Sequence, residues 1–351
     1  MKTKWIGLAV LLLVIAGAGL YAAVGRPAET VEITGFVGGE KIGLLEDEQV
    51  TERMEEKYGL KMDYARAGSL DMITADHSGR NYLFPSSQTA LELYENLYGR
   101  PVKSEIVLNT PIVLYTRRAV ADALTEQGIV SEEDGVLYGD MEKLTQCLED
   151  GTTWEELGLP QLYGSFSVGT TDPNKSNSGN MFAGLLANIL CGGVADESNI
   201  DEALPRLRSI FQKLGYMETS SSELFDQFLK TGMGAKPLIA GYENQLLEFA
   251  VQNPSDWEQV KDDIVMIYPN PSVWSAHVFI ALDEAGAKGI DALMDEGVQQ
   301  LAWDRHGFRT GVYGTAMDTE KFGVDGVAGE ITRIAPMPDV NTMMKIMDAL
   351  K

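Results

Sequence analysis

The side chains best placed to do chemistry lie in one run. Thr170-Thr171-Asp172-Pro173-Asn174-Lys175-Ser176-Asn177-Ser178-Gly179-Asn180 carries hydroxyls, amides, one acid and one lysine, and no large apolar side chain. It joins a strand-like stretch, residues 164–169 with Phe166 and Val168 inward, to a strongly apolar helix expected over residues 181–190. The first N–H groups of a helix lack intrahelical partners and sit at the positive end of its dipole. Small hydroxyls beside them make a place for an anion or a polar small molecule. A plain helix cap needs only one serine, Ser176 or Ser178. Eleven such residues exceed that need, so the run reads as a ligand loop.

Catalytic constellations are missing. The sequence has no Gly-x-Ser-x-Gly elbow, no Ser-x-x-Lys pair, no Walker loop and no His-Glu-x-x-His. Its three histidines, His77, His277 and His306, are far apart along the chain, so a non-enzymatic role is expected. Asp172 lacks the Asp-x-Ser-x-Ser spacing of a metal-dependent adhesion module, because the next serine is Ser176. Cys147 and Cys191 have no Cys or His partner at metal spacing, which argues against structural zinc. They are expected as two thiols, with pairing open in an oxidising compartment. No cofactor is called for. The net charge of −24 disfavours nucleic acid as a partner.

The 351 residues suit two compact units. Two lysines precede twenty uncharged residues, Trp5 to Val24. At about 1.5 Å per residue that span reaches ~30 Å, the thickness of the hydrocarbon core. Its length favours an uncleaved anchor, although the small residues Ala16, Ala18, Ala22 and Ala23 could serve a signal-peptide cut. Either way, residues from about 27 onward are expected outside the cytoplasm.

From residue 31 the pattern is strand, glycine-containing loop, helix, strand, the start of an open α/β unit. Strands are expected over residues 31–37, 60–64 and 82–84, and helices over 47–57 and 88–98. An apolar run over 106–115 is interrupted by Asn109-Thr110-Pro111, which suits a strand crossing between two lobes. A second run, 264–268, meets Pro269-Asn270-Pro271 in the same way.

The order of these pieces resembles the bacterial extracellular solute-binding proteins of the type II periplasmic-binding fold, nearest the molybdate/sulfate-binding-like branch. Four places carry the resemblance: the opening strand with Gly38-Gly39-Glu40-Lys41, the 106–115 crossover, the Asp172-Pro173 to Ser178-Gly179 loop, and Ala302-Trp303-Asp304-Arg305-His306-Gly307-Phe308-Arg309. It implies an α/β, two-lobed fold with two crossing hinge strands, preceded by the N-terminal signal or transmembrane helix (1–26). Lobe one would be 27–110 plus 270–351, and lobe two 111–269. It implies a small-molecule or ion ligand in the cleft and an ABC permease or a membrane sensor as partner. Carried over residue by residue, the contacts are Gly39, Glu40, Ser69, Ser86, Ser87, Thr110, Thr171, Asp172, Ser176, Ser178, Tyr242 and Glu243. Glu40, Asp172 and Glu243 depart from a neutral oxyanion site. Bare carboxylates would repel a dianion, so either they turn away or the ligand is not a small dianion.

Overall fold

The computed structural model describes residues 30–310 and 317–351. The apolar span at residues 5–24 lies outside them. Among the described residues no helix is long and apolar enough to cross a membrane.

Lobe one opens with β1 (Val31–Val37), whose alternation sends Ile33 and Val37 into the core. Helices α1 (Ile42–Glu46) and α2 (Glu48–Tyr58) follow. Asp47 caps α2 by accepting from the Gln49 N–H, and Gly59 ends it at φ 56°. Next come β2 (Leu60–Arg66), the short α3 (Asp71–Thr74), β3 (Tyr82–Phe84) and α4 (Gln88–Tyr98). β1 lies between β2 and β3, parallel to both.

β4 (Lys103–Arg117) then leaves lobe one. Lobe two holds α5 (Arg118–Glu126), the hairpin β5 (Val130–Glu133) and β6 (Val136–Asp140), α6 (Met141–Asp150), α7 (Asn177–Cys191) and α8 (Ile200–Leu214). It continues through α9 (Ser221–Lys230), β7 (Leu238–Tyr242), α10 (Glu243–Gln252), α11 (Pro254–Val260) and β8 (Ile264–Asn270). The chain re-enters lobe one as β9 (Trp274–Ala281), followed by α12 (Glu284–Leu293), α13 (Glu296–His306), β10 (Arg309–Thr310) and finally α14 (Val340–Ala349).

The strand order β2-β1-β3-β9-β4-β8-β6-β5 runs through both lobes, with β7 and β10 also paired to β4. Both crossings fall where the prolines stand. β4 pairs with β9 as far as Pro111 and with β7 from Ile112. Its missing N–H is tolerated there because the strand is changing partners. β4 is therefore one continuous strand of 15 residues rather than two runs broken at residues 109–111. The return crossing is residues 271–273, between β8 and β9.

Three local expectations differ. Residues 164–169 form only single bridges, Ser165 to Thr153 and Gly169 to Ile239, not a strand. α7 begins at Asn177 rather than residue 181, so the last four of the eleven residues of the polar run are helical. The tail expected in lobe one packs largely on lobe two. Met343 and Ile346 of α14 share a core with Ile112, Phe182 and Leu186, while Phe322 and Val324 join Tyr268 and Leu247. α14 also touches lobe one, where the Val340 N–H donates to Glu92 Oε2 (3.1 Å). Cys147 and Cys191 are half-buried free thiols.

Candidate functional site

On the lobe-one side, β1 runs into a 3-10 turn, Gly39–Lys41. Glu40 stays at the surface of the interlobe cleft while Lys41 turns inward and is completely buried. A buried ammonium needs partners. Lys41 Nζ lies 2.5 Å from Glu40 Oε1 and donates to Ser86 Oγ (2.7 Å). It lies 3.1 Å from His277 Nδ1 and stands over the Phe84 ring. Ser86 Oγ donates to Glu40 Oε1 in turn. Burial, then the Lys41 charge, pushes His277 well below the ordinary imidazole value. The neutral ring then accepts from Lys41 at Nδ1. Burial alone would raise Glu40, but Lys41 and then His277 hold it down at about 2. Burial lowers Lys41 against the pull of Glu40.

Arg66, the last residue of β2, reaches across the cleft. Its Nη2 donates to Ser220 Oγ of lobe two (2.7 Å), and no carboxylate pairs with it among the described residues. Gly39 makes room for it, because a Cβ there would come within 2.6 Å of Arg66 Nη2. Behind this wall, Ser69 Oγ accepts from the Ser86 N–H (3.0 Å).

On the lobe-two side, α7 and α9 both start in the cleft. Their N-cap residues, Ser176 and Ser220, have extended backbones and make no side-chain capping bond. The first N–H groups of both helices therefore remain open to a ligand. Gly179 lets the first turn of α7 lie against Thr171, whose carbonyl oxygen would be 2.1 Å from any Cβ. Thr171 Oγ1 and Ser178 Oγ are 2.8 Å apart, and Ser176 Oγ is 3.2 Å from Ser178 Oγ. Asn177 Nδ2 donates to the Ser86 carbonyl (2.9 Å) and to the Tyr242 hydroxyl (3.0 Å), a second contact between lobes.

These groups enclose a cleft of about 330 Å³. Of the residues expected at the site, Gly39, Glu40, Ser69 and Ser176 line it. Ser86, Thr171, Ser178 and Tyr242 stand directly behind it, buried and hydrogen-bonded into its walls. Burial, then the Glu40 charge, raises the Tyr242 phenol. Ser87 is the buried N-cap of α4, and Thr110 Oγ1 accepts from the Asn244 N–H (3.3 Å). Asp172 accepts from the Asn174 N–H (2.9 Å) and pairs with Lys175 (3.2 Å). Glu243 points away from the cleft. It forms a two-pronged pair with Arg309 (2.6 and 2.7 Å) and accepts from the Tyr268 hydroxyl.

Arg66 and Ser220 line the cleft and were not expected there, whereas Lys175 and Asn177, which also line it, belong to the run read as a ligand loop but were not among the contacts carried over. Ser220 had a readable signal. Thr219-Ser220-Ser221-Ser222 before a helix repeats the pattern of residues 170–180. Lys41 and His277 had none, since nothing local in the sequence shows that they meet.

No protein-family model matches the sequence, and no curated protein matches it. Solved structures do. A sulfate-binding protein from Mycobacterium tuberculosis superposes with a TM-score of 0.56 at 13% identity, covering 90% of this chain and 96% of that one. A periplasmic binding protein from Actinobacillus pleuropneumoniae, with fructose-6-phosphate bound, gives 0.57 at 14% identity over 90% and 96%. A ferric binding protein from Campylobacter jejuni gives 0.56 at 11% over 91% and 97%. The chain has the fold of the periplasmic solute-binding proteins. The likeness spans nearly all of each partner chain and reaches several ligand classes, so it establishes the fold and leaves the ligand to the cleft.

Proposed function

We propose that this protein is an extracytoplasmic solute-binding protein that captures an anion-bearing small ligand between its lobes and presents it to an ABC permease. The uncharged span at residues 5–24 would hold it at the membrane. The division of the chain follows the crossings, with 27–110 and 270–310 as lobe one, 111–269 as lobe two, and the tail from 317 strapped onto lobe two.

One observation carries the reading. Two helix N-termini without side-chain caps, from α7 and α9, converge on a cleft with Arg66, a cation with no carboxylate partner among the described residues. Such an arrangement favours a negative group. Of the carboxylates near it, only Asp71 lines the cleft without an ion pair among the described residues. Glu243 is spent on Arg309, Asp172 on Lys175, and Glu40 is backed by Lys41. A ligand touching both Arg66 and α7 gains contacts only when the lobes are together, so it shifts the population toward closure. The closed surface is what a permease reads. The fold's known members in the comparisons are binding proteins, which supports a non-enzymatic role.

The test is a thermal-shift panel of inorganic sulfate, inorganic phosphate, sugar esters and polyols, followed by calorimetry. Arg66→Ala removes one charged hydrogen bond, about 1.5–3 kcal/mol, and should weaken binding of any anion that shifts the protein by roughly 10- to 150-fold. Anion binding unchanged in Arg66→Ala would overturn the reading.

A further inference from the structure

The groove does not end at Arg66. Beyond the Arg66–Ser220 bond it opens into a second chamber of about 320 Å³. Gly39 and Glu40 line both spaces, and α9 forms a wall of both, with Ser220 and Ser221 in the first and Ser222 and Phe225 in the second. The chemistry changes across that divide. Arg66 and Lys175 line the first chamber beside Glu40 and Asp71, whereas no lysine or arginine lines the second among the described residues. Glu40, Asp226 and Glu248 stand there instead, together with Phe225, Phe249 and Asn244.

Asn244 is the informative residue. It is completely buried on α10, and neither its amide oxygen nor its amide nitrogen has a hydrogen-bond partner. Leaving such a group unmatched costs about 1–3 kcal/mol. Its neighbours do not relieve it. Gln245 is engaged with the Tyr242 N–H and the Ser221 carbonyl, and Glu248 lies 2.7 Å from His306 Nδ1. An amide that lacks both a donor and an acceptor is matched by a group that supplies both. A hydroxyl does; an ammonium only donates and a carboxylate only accepts. Three carboxylates at this chamber disfavour a second anionic group. Phe225 and Phe249 offer an apolar surface of the kind that receives the C–H face of a ring.

We propose, building on the anion reading above, that the ligand is a monoester of phosphate or sulfate whose uncharged, polyhydroxylated body occupies this second chamber against Asn244 while its acidic group lies between Arg66 and the N-termini of α7 and α9. Glu40, shared by both chambers, sits where the acidic group meets the body and accepts from its hydroxyls. Asn244 is then a specificity residue, left without a partner inside the protein because the ligand completes it.

Calorimetry on the full exported chain tests this with four probes: inorganic phosphate, inorganic sulfate, glucose 6-phosphate and glucose 6-sulfate. At least one ester should bind tenfold or more tightly than its own inorganic anion, and the two ester arms separate phosphate from sulfate. Asn244→Leu, nearly isosteric, should cut that ester-over-inorganic ratio at least fivefold. Ser222→Trp, which plugs the chamber from an exposed position, should do the same without touching the core. Fructose 1,6-bisphosphate should bind more weakly than the better monoester. Equal affinities for ester and inorganic anion, a ratio unmoved by both variants, or a bisphosphate that binds as well as the monoester would each overturn the two-chamber assignment and leave the anion site standing. If none of the probes binds, both fall.

Discussion

Two buried acid–base pairs stand at the meeting of the lobes, and they are built differently. Glu243 meets Arg309 through two parallel bonds, takes a third from Tyr268, and is sealed from solvent. Glu40 meets Lys41 through one oxygen and keeps a face on the cleft. The forked guanidinium satisfies both carboxylate oxygens at once and cannot lose its proton, which suits a permanent clamp. Burial opposes its charge, but Glu243 more than offsets that and holds Arg309 above its ordinary value. The ammonium of Lys41 is a point charge already lowered by burial. It steadies Glu40 without using it up. Two glutamates of equal appeal in the sequence thus divide into one that joins the lobes and one that faces the cleft.

The largest effect that could break this comparison is on Glu243. Glu243→Gln leaves Arg309 charged and buried, and should cost about 3–5 kcal/mol of unfolding free energy in denaturant titrations. The cost should be the same from pH 6 to pH 9. A loss below 1 kcal/mol would show that the clamp is ornamental. Glu40→Gln should cost less, about 1–3 kcal/mol, because Lys41 can respond by losing its proton. A folded-state pKa below the unfolded one makes stability rise with pH, so the Glu40→Gln deficit should shrink toward alkaline pH. A flat deficit would make the two pairs alike.

The acid side sharpens the contrast. His277 is held below its ordinary value, so the unfolded state takes up a proton first as pH falls. Its contribution is full above about 6.5 and is lost progressively below that. The Glu40 contribution follows at lower pH, full above the ordinary carboxylate range and lost as pH falls through about 2. His277→Asn should flatten the stability profile between roughly pH 6.5 and 5, leaving the carboxylate limb in place. An unchanged profile would place the acid sensitivity elsewhere. The smallest effect is at Asp172. Its partner Lys175 is largely exposed and the pair is open to solvent on that side, so Asp172→Ala should alter stability by less than about 1 kcal/mol. It should also tighten anion binding by removing a neighbouring negative charge.

What could be read from the sequence was whatever is local. Alternating apolar residues gave β1 and β2, a short apolar run gave β3, and 3.6-residue periodicity gave α2 and α4. Prolines marked both crossings because strands tolerate them only where the ladder is interrupted. The hydroxyl run marked the approach to α7 but put its start four residues late, since polar helix turns look like loops. The hairpin β5–β6 went unread because its strands are short, β5 is mostly exposed and β6 half-buried, with no apolar alternation to show them. The site's charge logic was beyond reach. Lys41 and His277 are 236 residues apart, and Glu243 looks no different from Glu40 until Arg309 is brought to it by β10 pairing with β4.

The last helix bears on how the lobes can move. Two bodies joined only through neighbouring strands behave like a door on its pins, free to swing about one line. α14 adds a further fixture. It is rooted in the lobe-two core through Met343 and Ile346, bonded to α8 where Arg208 Nε donates to the Ala349 carbonyl (2.6 Å), and fastened to α4 of lobe one through Glu92. A swing that opened the cleft would have to drag this fixture along. The single bond at Glu92 is the place to slip, since the anchorage on the other side is a packed core. The motion left to the molecule is therefore a swing combined with a slide of α14 across α4, and the travel of that slide limits how wide the mouth can gape.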